Sequence, residues 1–213
     1  MQKKSVMMLD IAIVIFVIFA LILMMTAKTD GSLSSRGWSA FKYYTVQSNV
    51  FCAITSLIMI FFTLIRKNSE IPDWLYVLQL TGTTVVTVTF LVVVGFLGPV
   101  YGYQNMYLRA NLWFHLIVPV VGMIKMLLIR PKRYYPFSIT LWGILPTFLY
   151  GAVYSVINAV GWTGKSNPET DIYGFLFWGW GIGILFLLSI CLLSWLSAII
   201  FRFLSMKIHK PAK

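Results

Sequence analysis

Residues 74–97 read WLYVLQLTGTTVVTVTFLVVVGFL, a run of 24 residues without a charged side chain. A helix needs about 20 apolar residues to cross the hydrocarbon of a bilayer, so this run predicts a transmembrane helix. Five further apolar runs are long enough to do the same. The six predicted spans are 7–26, 46–65, 74–97, 110–129, 137–157 and 173–203. The predicted fold class is therefore all-α, a polytopic membrane protein with a single six-helix transmembrane domain over residues 1–213.

The composition excludes a water-soluble fold. The chain has 59% hydrophobic and 11% charged residues, whereas a typical soluble domain has roughly 45–50% and about 25%. The first apolar run is longer than the roughly 7–15 residues of a signal-peptide core. It is therefore predicted to remain in the protein as a helix.

The basic residues predict the orientation of the spans. The formal net charge is +11, from 17 Lys and Arg against 6 Asp and Glu. Placing the N-terminus inside puts 12 of the 17 basic residues on the cytoplasmic side, as the positive-inside rule requires. We therefore predict a multi-pass cell membrane protein with both termini cytoplasmic. Because this placement accounts for the charge, no nucleic-acid partner is needed to explain it.

His115 is an ionisable residue inside a predicted span, where desolvation makes charge expensive. It lies more than one turn inside the fourth run, and Asn111 lies four residues earlier on the same helical face. Asp10, Arg109 and Lys125 lie nearer to span ends, and their side chains are expected to extend to water. His115 is thus a functional candidate. The alternative is a histidine that bonds a neighbouring helix for packing alone.

A polar stripe opens the second span, where Thr45, Ser48 and Asn49 share one helical face. The second and fourth spans run in the same direction, so Thr45 and His115 are both predicted in the outer halves of their helices. A threonine hydroxyl becomes a nucleophile when an adjacent base removes its proton. Alternatively, Thr45 bonds back to its own helix backbone. Measured from the basic residues that follow the two spans, Thr45 and His115 would differ in depth by roughly 9 Å.

Two short motifs resemble the androgen-induced protein family of intramembrane threonine hydrolases, which includes the androgen-dependent regulator of tissue factor pathway inhibitor. They are residues 42–45, KYYT, and residues 115–119, HLIVP. The resemblance implies hydrolysis of lipid esters such as fatty acid esters of hydroxy fatty acids, with Thr45 as nucleophile and His115 as base. In this chain Tyr154 and Asn158 stand in the fifth span, where vertebrate members carry a second histidine.

The remaining polar residues supply candidates for binding. The candidates for substrate binding or for stabilising an oxyanion are Asn49, Asn111, Ser48, Tyr154 and Asn158. Asp171 is the acid that topology brings nearest to His115. The predicted partners are a lipid or fatty acyl ester substrate and membrane lipids, and no cofactor or metal is implied. Two alternatives stay open, namely a small transporter or lipid-binding protein with a polar cavity, and a structural membrane subunit.

Overall fold

The computed structural model describes residues 2–27, 37–66, 70–160 and 162–210. Six helices in this part of the chain are long and apolar enough to cross a membrane. We label them α1 (Lys4–Met25), α2 (Tyr44–Ile65), α3 (Asp73–Tyr101), α4 (Ala110–Leu128), α5 (Phe137–Val160) and α6 (Trp180–His209). The prediction of an all-α fold with six membrane-spanning helices is confirmed.

The outward faces of the helices are apolar. On α1, four isoleucines follow one another at helical spacing, and each is 40–56% exposed. They are Ile11, Ile15, Ile18 and Ile22. A large exposed apolar stripe is costly in water, whereas lipid tails are as apolar as the stripe itself. The bundle is therefore that of a multi-pass membrane protein.

The central helix is α3. In its most apolar stretch 67% of the residues are buried, against 22–39% for the other five helices. It packs against α2, α4, α5 and α6. Several of its buried threonine hydroxyls are satisfied within the helix, since Thr84 donates to the Leu80 carbonyl and Thr87 to the Thr83 carbonyl. The threonine-rich sequence of α3 is therefore compatible with an apolar core.

The two ends of the bundle have separate clusters of buried side chains. Val6, near the N-terminus, belongs to the same apolar cluster as Met206, near the C-terminus. The start of α1 and the end of α6 therefore lie at one end of the bundle, which we call the terminal end. The opposite end is the distal end, where Tyr154, Tyr173 and Phe175 form an aromatic cluster.

The main difference from the predicted spans is at the sixth helix, which begins at Trp180. Residues 173–179 instead form a loop that folds back onto the bundle. Within it Gly174 and Gly179 have φ values of +69° and +88°, and glycine is the residue that adopts this conformation without strain. Gly183 allows the loop to pack closely, because a Cβ there would lie 2.3 Å from a leucine side chain of the loop. Residues 173–179 are thus a loop although their composition is largely apolar, because the backbone conformation at the two glycines and the packing of the loop do not fit a helix.

Candidate functional site

A cavity lies at the distal end, between α2, α3, α5, α6 and the loop before α6. It is small, about 50 Å³, and is partly open to its surroundings. The apolar residues that line it are Val88, Val92, Val93, Leu97, Phe175 and Ile190. Those with hydroxyl groups are Tyr44, Thr45, Thr89, Tyr150 and Tyr173. A largely apolar pocket with a few polar groups is typical of a small-molecule or lipid site.

Thr45 lies at the start of α2, where it is the second residue of the helix and lines the cavity. Its backbone carbonyl accepts hydrogen bonds from Ser48 Oγ at 3.0 Å and from Asn49 Nδ2 at 2.7 Å. Its own hydroxyl has no hydrogen-bond partner among the described residues. The hydroxyl is therefore not committed to the helix backbone and is available to a ligand.

His115 is buried in α4, within a π-helical turn over Trp113–Ile117. Its Nδ1 lies 2.6 Å from the Met106 carbonyl oxygen. Since a carbonyl oxygen can only accept, Nδ1 carries the hydrogen and a neutral ring has its lone pair on Nε2. This tautomer suits a general base. Within the described chain, His115 is not among the residues that line the cavity.

Asn49 connects the two predicted catalytic residues. Its Nδ2 donates to the Thr45 carbonyl at 2.7 Å and to the Phe114 carbonyl, one residue before His115, at 3.0 Å. Because both oxygens accept from one nitrogen, they lie less than about 6 Å apart. Both amide hydrogens are engaged in these bonds. Asn49 therefore has no free donor for the oxyanion role predicted for it, and it serves as a link between α2 and α4.

The depth difference expected between Thr45 and His115 is not found. Asn49 of α2 meets the α4 backbone beside His115, and further along the same interface Ser56 accepts a hydrogen bond from Lys125. Ser56 and Lys125 follow the two predicted catalytic residues by 11 and 10 positions. These contacts place the start of α2 beside the turn of α4 that carries His115. Because α2 continues nine residues beyond Ser56, whereas α4 ends three residues beyond Lys125, the two span ends are not a common reference for depth.

The other predicted site residues lie in three places. Ser48 Oγ is 2.9 Å from Oγ1 of Thr89, which lines the cavity, but Ser48 itself is not among the described lining residues. Asn111 lies partly buried in the first turn of α4 and is not part of the described cavity lining. Tyr154 and Asn158 of α5 bond the loop before α6. Of the predicted site residues the described cavity lining thus contains Thr45, and the two α5 residues hold the loop.

Asp171, the acid predicted nearest to His115, has other partners. Its carboxylate accepts hydrogen bonds from the Tyr154 hydroxyl, from Ser166 Oγ at 2.5 Å and from the Leu176 N–H at 3.0 Å. All three donors belong to α5 or to the loop itself. The group that bonds Nδ1 of His115 is a backbone carbonyl and not an acidic side chain.

The prediction that Asp10 and Lys125 extend to water is wrong. Both side chains are fully buried, and they form an ion pair of 2.9 Å. Lys125 Nζ also donates to Ser56 Oγ at 3.0 Å and to Gln79 Oε1 at 2.7 Å. All three ammonium hydrogens therefore have acceptors, one each on α1, α2 and α3. Asp10 Oδ2 is buried without a partner in the described part of the chain.

A sequence signal for this ion pair was present. The first predicted span contains one acid, Asp10, and the fourth contains one lysine, Lys125, within mostly apolar runs. Opposite charges in hydrocarbon pair with each other because each is costly alone. Because each residue is close to a span end, its side chain was predicted to extend to water. In the structure, contacts between the helices bury both side chains instead.

Comparisons with known proteins give no assignment for this site. No model of a known protein family matches the chain, and no curated protein or solved structure matches it. The resemblance to the androgen-induced protein family stays a prediction that rests on the two motifs and on the six-helix arrangement.

Proposed function

We propose that this chain is an integral membrane hydrolase of lipid esters, with Thr45 as the nucleophile and His115 as the base. One observation carries the proposal. A threonine hydroxyl without a partner among the described residues stands in the wall of a largely apolar cavity. Such a lining fits a fatty acyl chain, while the hydroxyl-bearing part fits the polar ester group. Fatty acid esters of hydroxy fatty acids are substrates of this kind.

The proposed reaction has two steps. Thr45 Oγ1 attacks the ester carbonyl carbon while His115 Nε2 takes the hydroxyl proton. The tetrahedral intermediate expels the alcohol, which receives that proton and leaves an acyl group on Thr45. A water molecule then gives a proton to His115 Nε2 and attacks the acyl carbon. His115 passes that proton to Thr45 Oγ1 as the bond between Oγ1 and the acyl carbon breaks, which releases the fatty acid and restores both residues.

The proposed oxyanion needs hydrogen-bond donors, and Asn49 has none to offer. The first turn of a helix has N–H groups without intrahelical acceptors. The Thr45 N–H is one of them, and it has no acceptor among the described residues. We therefore assign it to the oxyanion, because it belongs to the nucleophile itself. Asn111 stays the predicted second donor.

A second candidate function is lipid binding without catalysis. It is favoured by the position of His115, which is not among the described cavity-lining residues. Under this hypothesis the Nδ1 bond to Met106 serves packing between the segment before α4 and the helix. The cavity would then hold a fatty acyl ligand without converting it.

Labelling with a fluorophosphonate probe tests the hydrolase proposal. Wild type is expected to label, and Thr45→Ala and His115→Ala are expected to lose at least about 99% of the labelling rate, because removal of either member of such a pair costs 10²-fold or more. Thr89→Ala, another cavity hydroxyl, and His209→Ala, the second histidine, are the matched controls. Equal labelling of wild type and Thr45→Ala contradicts the proposal. Retained binding of a fluorescent fatty acid would then favour the binding function.

A further inference from the structure

We propose that residues 171–176, which we call the gate segment, form a gate through which a lipid passes between the surrounding membrane and the cavity. The identity of the passing molecule rests on the proposed function, whereas the gate itself rests on geometry. Tyr173 and Phe175 line the cavity, and Leu176 is 1% exposed. The gate segment is thus a wall of the cavity that belongs to a loop and not to a helix.

One side of the gate segment is held by a latch, the Asp171 carboxylate with its three donors. The Tyr154 hydroxyl on α5 is the one donor of the three that lies outside the loop. A hydrogen bond to a charged group is among the stronger single contacts, and its loss leaves a buried carboxylate short of a donor. The Tyr154 hydroxyl therefore ties the gate segment to the bundle.

The other side of the gate segment is bonded to the start of α2, beside Thr45. The Tyr173 hydroxyl accepts a hydrogen bond of 2.8 Å from the Tyr44 N–H, at the residue before Thr45. Gly174, next to Tyr173, has a φ of +69°, a conformation that glycine adopts and leaves at low cost. The segment thus has a contact with the residue next to Thr45 and a pivot beside that contact.

The residues after the gate segment connect it to lipid. Phe177 and Trp178 are 73% and 61% exposed, and Gly179 with a φ of +88° separates them from α6. Exposed aromatic rings at the end of a membrane bundle lie in the interface between lipid and water. Lipids that contact these rings therefore adjoin the one cavity wall that is not helical. This position favours a lipid over a water-soluble molecule as the passing ligand.

Thiol labelling of the cavity tests the gate. In a Cys191→Ser background, which leaves the fully buried Cys52, Thr45→Cys reports access to the cavity. The protein is placed in lipid nanodiscs, and the rate of maleimide attachment is measured by mass spectrometry. Adding Tyr154→Phe, which removes the latch hydroxyl, is expected to raise the rate at least about tenfold. Unchanged rates would overturn the gate.

Tyr135→Phe is the matched control, because the Tyr135 hydroxyl also donates to an aspartate, Asp73, at 2.9 Å, but at the terminal end. It is expected to leave the labelling rate unchanged, and an equal acceleration by both variants would mean general loosening of the bundle, which overturns the gate. If Tyr154→Phe does not fold, Asp171→Asn and Gly174→Ala make the same test. Labelling needs no hydrolysis, so failure of the hydrolase proposal leaves this result interpretable.

Discussion

The proposed reactive pair in the distal half of the bundle and the ion pair in the terminal half differ in their hydrogen bonds. The Thr45 hydroxyl and His115 Nε2 have no hydrogen-bond partner among the described residues. Lys125 has an acceptor for each of its three hydrogens, and in its partner Asp10 one carboxylate oxygen has no partner in the described part of the chain. A free hydroxyl in a cavity wall fits chemistry, whereas a fully bonded ammonium shared by four helices fits packing. The comparison favours the distal half as the place of the proposed function and the ion pair as a device for assembly of the bundle.

The largest expected effect comes from breaking the ion pair. Lys125→Met leaves the Asp10 carboxylate buried without its partner, which is expected to lower the unfolding free energy by about 3–5 kcal/mol. Thermal unfolding of the purified protein in detergent measures this effect. The double variant Asp10→Leu with Lys125→Met is expected to recover most of the loss, because it removes both charges. Single variants as stable as wild type would contradict a packing role.

A smaller effect is expected at the link between α2 and α4. Asn49→Leu removes two buried hydrogen bonds and is expected to cost about 1–3 kcal/mol. Thr45→Ala removes a hydroxyl without a described partner, so its cost is expected to stay within about 0.5 kcal/mol. The same unfolding measurement compares the two. A larger loss of stability in Thr45→Ala would place that hydroxyl among the packing groups and would weaken the contrast between the halves.

The smallest expected effect is a change in stability at alkaline pH, tested at one tyrosine from each end of the bundle. Burial raises the pKa of the Tyr173 phenol well above its usual value, and burial together with a hydrogen bond to Asp73 raises the pKa of Tyr135. In the unfolded chain these phenols ionise near pH 10. Above that pH the unfolded state binds fewer protons than the folded state, so stability falls as pH rises, by up to about 1.4 kcal/mol per pH unit for each phenol.

Tyr173→Phe and Tyr135→Phe are therefore each expected to make stability less steeply dependent on pH above about 10. Unfolding curves collected at several alkaline pH values give this slope. If Tyr173→Phe leaves the slope unchanged, the phenol ionises in the folded protein, and the gate segment that carries it opens readily at that pH. If Tyr135→Phe alone leaves the slope unchanged, the Tyr135 phenol ionises in the folded protein. Of the two phenols, only Tyr173 at the distal end would then be tightly buried.

The sequence predicted the helices well and the site unevenly. Long apolar runs fix six spans because hydrocarbon requires them, and the start of the last helix was missed because Gly174 and Gly179 end an apolar run without changing its composition. Thr45, predicted on a polar stripe of the second span, lies in the cavity wall, and the roles of Thr45 and Ser48 as site residues stay predictions. The pairing of Asp10 with Lys125 was missed, because distance from a span end does not reveal which way a side chain faces.

The sequence by itself determined the number of helices and which polar residues they carry, because hydrophobic length and helical spacing are local properties. Only the tertiary structure decided how deep those residues lie relative to one another and which of them are free. Asn49 brings the Thr45 backbone of α2 close to the α4 backbone one residue before His115, a contact that spacing along either helix does not predict. Asp171 holds a loop and leaves His115 to a backbone carbonyl, since its donors come from α5 and its own loop. These are contacts between distant segments, which spacing along one helix does not encode.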